Sequence, residues 1–155
     1  VSYPSAVEVL LFSEADGLLR YRAAAADRPP GVHPDDLAID LSGLTLCTPG
    51  ALLHSTSWRY AADRIVLTYA ALPDPWPRDV LPVPSDAMVV SASPLMPSPA
   101  TVDVAAVATH AVRHLALLVT TDPVVAAAAV EAPELWALIA KQPPGPAGSP
   151  LPPLF

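Results

Sequence analysis

The sequence predicts an α+β domain, and three observations carry the prediction. Strand-like segments fill the first two-thirds of the chain, whereas helical periodicity appears only from Thr101 onward. That order belongs to α+β rather than to alternating α/β architecture. Two hairpin signatures, at Asp16-Gly17 and around Ala61–Asp63, organise the first part into an antiparallel or mixed sheet. The length, 155 residues, suits one core. The expected unit is therefore a single domain over residues 1–141, with sheet packed on C-terminal helices, followed by a Pro/Gly-rich tail over 142–155.

The elements follow from local patterning. Residues 6–13, AVEVLLFS, read as a strongly apolar strand. Asp16-Gly17 then supplies the positive backbone φ that a type I′ turn needs. Residues 18–25 return as a strand, with Leu19 and Tyr21 on one face and Arg20 and Arg22 on the other. Residues 27–36, DRPPGVHPDD, read as loop. Residues 37–41 suit a short strand or a helical turn, and 44–48 a short strand holding Cys47 as a buried small hydrophobe. Residues 51–72 are the clearest motif, two strands rich in β-branched and aromatic residues joined at Ala61-Ala62-Asp63. Five prolines stiffen the connection over 73–86. A further strand is expected over 87–92 and a proline-rich loop over 93–100. Residues 102–120 read as a helix with Thr101 as N-cap and Asp103 in its first turn. Asp122-Pro123 reads as the cap and first position of a helix reaching about Val130, and Pro133 opens another ending near Lys141.

Composition excludes several function classes. The formal net charge is −7, with one lysine and scattered arginines, so neither a nucleic-acid backbone nor an anionic membrane surface finds a basic patch. The longest uncharged runs, 41–58 and 87–102, are broken by Pro, Gly and His, and no stretch is expected to span a membrane. A single cysteine forbids an intrachain disulfide. That, with no basic-then-apolar leader among the first residues, leads to a cytoplasmic expectation. The six glycines form no G-x-G-x-x-G, no P-loop and no G-x-S-x-G elbow, and no cofactor is expected. Apolar residues make up 52% and charged residues 15%, with a mean hydropathy of +0.42. Soluble domains carry about 25% charged residues. Polar side chains are thus too few to cover the surface, and self-association, as a homodimer through the helices over 101–141, is expected.

The opening VEVLLFSEADGLLRYRAA resembles the first hairpin of a Nudix domain, and GLTLCTPGALLHSTSWRYAADRIVLTYAAL resembles the strands that follow the Nudix helix. Together they cover about half the chain. The family's metal-binding box, G-x5-E-x7-R-E-U-x-E-E-x-G-U with U a bulky aliphatic, would fall between Ala23 and Leu44. That stretch has no glutamate, and Pro29, Pro30 and Pro34 oppose a helix there. The resemblance implies a relative without the box, and so without the family's metal-dependent hydrolase activity. Asp35, Asp36 and Asp40 are the carboxylates there beyond Asp27, with Asp36 and Asp40 aligned if residues 36–40 are helical.

Two constellations remain as candidate sites. His54, Thr56, Trp58 and Tyr60 alternate along one strand and are expected to share a face, where Trp can stack on a small ligand and His or Thr orient it. His110 and His114 stand at i, i+4 on the long helix, with Asp103 on the same face, a spacing that can hold a metal. The metalloprotease motif is absent, because Ala111 follows the first histidine. Packing offers a simpler account of each: an aromatic strand face is core, and two histidines form a polar stripe or subunit contact. Trp136, with Leu135, Leu138 and Ile139, reads as a helix anchor. No catalytic residue is identified. The expected role is a non-catalytic interaction protein; a ligand-binding or regulatory module and a divergent metal-dependent hydrolase of nucleotide-like substrates are the alternatives.

Overall fold

Eight consecutive residues of the first strand, Ala6–Ser13, are buried, and this dictates a sheet covered on both faces. The computed structural model describes residues 4–61, 63–84 and 104–142. Their order is β1 (Ser5–Ala15), β2 (Leu18–Asp27), α1 (Pro34–Ser42), β3 (Leu52–Ala61), β4 (Arg64–Leu72), β5 (Leu81–Pro82), α2 (Val104–Thr121), α3 (Pro123–Val130) and α4 (Pro133–Ala140). The strands form one five-stranded sheet in the order β3-β4-β1-β2-β5. β1 runs parallel to β4 and every other pairing is antiparallel, so the sheet is mixed and the class is α+β.

Both hairpins form where turn chemistry placed them. Asp16 and Gly17 join β1 to β2 with φ of 55° and 75°, the left-handed pair of a type I′ turn. Asp63, at φ 61°, serves the β3–β4 turn. Parallel strands cannot be joined by a tight turn. The route from β1 to β4 therefore passes through β2, α1 and β3.

Two cores result. On one face Leu10, Phe12, Leu19, Tyr21, Leu52, Ala70 and Leu72 meet α2, α3 and α4, with Trp136 buried among them. On the other, Val7, Val9, Leu11, Tyr69 and Ala71 meet Ala38 of α1, flanked by Leu37 and Leu41. The Tyr69 hydroxyl donates to Asp35 of that helix. Burial, followed by this bond and the Asp35 charge, raises the Tyr69 pKa above its ordinary value.

Three local expectations are corrected. The stretch expected to stay loop through Asp36 turns helical at Pro34. Pro34 stands at the start of the helix, where no backbone N–H is needed, and His33 caps it by accepting from the Asp35 N–H at 3.1 Å. Gly43, left-handed at φ 69°, ends the helix. Residues 44–48 are not a strand. Their backbone bonds close locally, Thr48 onto Thr45 and Ala51 onto Thr48, and Cys47 is exposed rather than buried. Finally, α2 is long and apolar enough to cross a membrane by length and composition, although no span was expected. Arg113 is the sole Asp, Glu, Lys or Arg in its 18 residues. Its buried run Val107–Val112 packs inside the fold, as in a core helix.

Asp122 and Pro123 cap and open α3 as expected, the Asp122 carboxylate accepting from the Val124 N–H at 2.8 Å. The strand expected over 87–92, the loop over 93–100, and Thr101 and Asp103 lie outside the described residues.

Gly50 shows how tightly the α1–β3 connection seats on the helices. Its φ is 87°, and a Cβ there would stand 2.8 Å from Cβ of Glu131. Gly50→Ala is expected to destabilise the domain by about 2 kcal/mol, left-handed strain and overpacking combined. Urea unfolding, with an unchanged m-value, is the measurement that checks it.

Candidate functional site

The alternation that placed His54, Thr56, Trp58 and Tyr60 on one face is broken inside β3. Ser55 stands opposite Tyr69 and Ser57 opposite Thr68, so Thr56 is an extra residue, a β-bulge. Before the bulge, even-numbered residues share the α2 side of the sheet: Leu52 pairs with Leu72, and His54 with Ala70. After it the parity inverts. Ser57 and Arg59 take the α2 side, while Trp58 and Tyr60, opposite Leu67 and Ile65, take the α1 side. The expected four-residue face is therefore corrected, because one inserted residue rotates everything beyond it by one step of the pleat. Thr56 itself is buried, and its hydroxyl donates to the Thr68 carbonyl at 3.2 Å.

On the α2 side, His54 meets His114. Their ring centroids are 5.5 Å apart and the rings are inclined by 58°. The Nδ1–H of His54 donates to the Ser55 carbonyl at 2.7 Å, since a carbonyl can only accept. His110, one turn before His114, is buried. Burial lowers the pKa of both α2 histidines; the Arg113 charge adds to the effect at His110, and His54 adds to it at His114. His110 and His114 thus do occupy one helix, but the partner that the fold brings to His114 is His54 from the sheet. Asp103, the third member of the expected metal set, lies outside the described residues. Among the described residues no three His, Cys, Asp or Glu side chains gather as a metal-holding group. Asp36 and Asp40 share α1 but both are exposed, and Asp35 is engaged by Tyr69.

Along the same face lies a polar network that sequence reasoning missed. Glu8 of β1 is buried and accepts from both guanidinium nitrogens of Arg59, at 2.9 and 3.2 Å, and from the Thr68 hydroxyl at 3.2 Å. Arg59 also reaches the Thr68 hydroxyl, at 3.3 Å. A two-pronged guanidinium–carboxylate pair of this kind ties β1 to β3 across β4. The signal was present: Glu8 is the one charged side chain in an apolar strand run, and it needed a cation.

No protein family, curated protein or solved structure matches this chain.

A cleft of about 390 Å³ opens at the carboxyl ends of β1 and β4, between Ser13, Glu14 and Asp74 on one side and Glu131, Glu134 and Leu135 on the other. Asp74 is committed to Arg22 through bonds of 2.7 and 2.9 Å, and also accepts from the Trp76 N–H. Glu14 accepts from the Gly17 N–H. These carboxylates hold the local fold and make the cleft hostile to anions such as pyrophosphates.

On the outer side Trp58 and Tyr60 are 67% and 65% exposed. They stand on β3, which is the edge of the sheet among the described residues.

Two expectations follow. Glu8→Ala leaves Arg59 with its charge half-buried and is expected to cost about 3 kcal/mol, whereas the double replacement Glu8→Leu with Arg59→Met costs under about 1 kcal/mol; a double-mutant cycle by denaturant unfolding checks the difference. The depressed histidines set a pH dependence of the opposite kind to a salt-bridged histidine. Their folded forms hold fewer protons than the unfolded chain, so stability is full above about pH 6.5 and falls as the pH drops toward the folded values. Thermal melts between about pH 8 and 5 should show this loss, and His114→Gln should flatten it.

Proposed function

We propose that this domain is a non-catalytic interaction module on a Nudix-like scaffold, and that it pairs with a second copy of itself along the outer half of β3. The observation that carries the reading is the pair of exposed aromatic side chains, Trp58 and Tyr60, on an edge strand. An edge strand presents backbone N–H and C=O groups ready to pair with another strand. Tyr and Trp are the side chains that anchor such contacts.

Charge selects the same strip. Two molecules of net charge −7 repel each other, so contact favours a neutral zone. Over Ser57–Ala61 the only ionised side chain is Arg59, and Glu8 already neutralises it on the α2 side of the sheet, away from Trp58 and Tyr60. The helices offer less. The apolar faces of α2, α3 and α4 are turned onto the sheet and onto one another, and their large exposed apolar side chains are Val124 and Val130. The absence of a glutamate-bearing box in the α1 region supports the non-catalytic part of the reading.

Size sets the strength. A fully buried aromatic contributes roughly 150–250 Å². Two that are already one-third covered supply well under half of the ~800 Å² per partner of a standard interface. The flanking backbone pairs and side chains must supply the rest, which makes the association concentration-dependent rather than permanent. Sedimentation equilibrium across a wide concentration range should show the mass rising toward that of a dimer. Trp58→Ser with Tyr60→Ser should hold the monomer mass while circular dichroism stays unchanged. A wild-type chain that stays monomeric at every concentration, or a double variant that associates like the wild type, would overturn the reading.

A further inference from the structure

We propose that His54 and His114 form a two-histidine binding site for a borderline divalent metal ion, zinc or copper, between β3 and α2. This goes beyond the pairing of β3 edges and uses the opposite side of that strand.

The separation of the two rings suits a shared ion. Metal–imidazole bonds of ~2.0–2.1 Å place the ion ~3.2 Å from each ring centroid, so two rings at a tetrahedral angle have centroids ~5.2 Å apart. The observed separation is 5.5 Å, with the rings inclined rather than stacked. The His54 tautomer suits it as well. The Nδ1–H of His54 is held by the Ser55 carbonyl at 2.7 Å. In the neutral ring this places the lone pair on Nε2. Metal-bound histidines are oriented in the same way, donating the other ring N–H to a carbonyl or carboxylate. The frame is regular secondary structure. Both side chains stand on regular elements, and the bulge at Thr56 lies two residues from His54, so the geometry comes from packing rather than from a loop.

The donor set selects the metal. Two imidazoles without a neighbouring carboxylate among the described residues suit zinc and copper and disfavour calcium and magnesium, which take oxygen ligands. Water or a further donor would complete the coordination. Because the ligand form is the neutral imidazole, binding must release protons and weaken as the pH falls.

The test is calorimetric titration of the full chain with zinc or copper alone at pH 7.5, repeated at pH 5.5 and in His54→Ala, His114→Ala and His110→Ala. Loss of a residue that only orients a metal-bound histidine typically costs roughly 10- to 100-fold in affinity, so loss of either ligand should exceed about tenfold. One bound equivalent is expected, weakened beyond that by His54→Ala and by His114→Ala, little changed by His110→Ala, and reduced at pH 5.5. Imidazole proton shifts in the wild type and in His110→Ala give a second readout that does not depend on the stability of the other variants; those of His54 and His114 should move on zinc addition. No binding of either ion, or no shift at His54, would overturn the proposal. So would binding that survives His54→Ala but is lost in His110→Ala, because the ion would then sit on the helix alone.

Discussion

Burial of β1 on both faces is the constraint on which the rest of this molecule depends. A strand with eight successive buried residues needs a neighbour on each side and a layer above and below it. β2 and β4 supply the neighbours, and α1 and the α2–α4 group supply the layers. The parallel pairing with β4 then demands a long connection, which the chain fills with a hairpin strand, a helix and a second hairpin. Among the described residues β3 is left at the edge, with Trp58 and Tyr60 exposed on it.

The same constraint explains the polar architecture. β1 contains one charge in its buried run, Glu8, and a carboxylate there is tolerable only with hydrogen-bonded compensation. Arg59 and Thr68 provide it from β3 and β4, which ties the edge strand to the central one. At the other end of the sheet Arg22 of β2 holds Asp74 just beyond β4. In a chain with only 15% charged residues, these two pairs add charged ties to elements that buried apolar faces already hold in register.

The bulge at Thr56 divides β3 into two working surfaces. Below it His54 faces α2 and meets His114; above it Trp58 and Tyr60 face outward. A regular strand would have brought all four side chains of the expected constellation to one side, as an aromatic-polar patch. The extra residue separates the imidazoles from the aromatic surface and places them on opposite sides of the sheet.

Much of the fold was legible because its signals are local. Asp16-Gly17 can serve only a tight turn, Asp122-Pro123 begins a helix, and the β-branched, aromatic run from Ala51 to Leu72 pairs with itself. The α1 helix was half legible. Its prolines read as breakers, and only the position of Pro34 at the helix start made it an opener. The site was not legible, because each of its relations joins distant residues: His54 to His114, Glu8 to Arg59, Arg22 to Asp74. Period and composition by themselves determined the element types, the acidic and apolar character of the chain and the lack of a basic surface. Tertiary structure alone decided strand order, the bulge that inverts the parity of β3 and the meeting of histidines. Register and packing are settled by contacts between segments, and no local pattern encodes them.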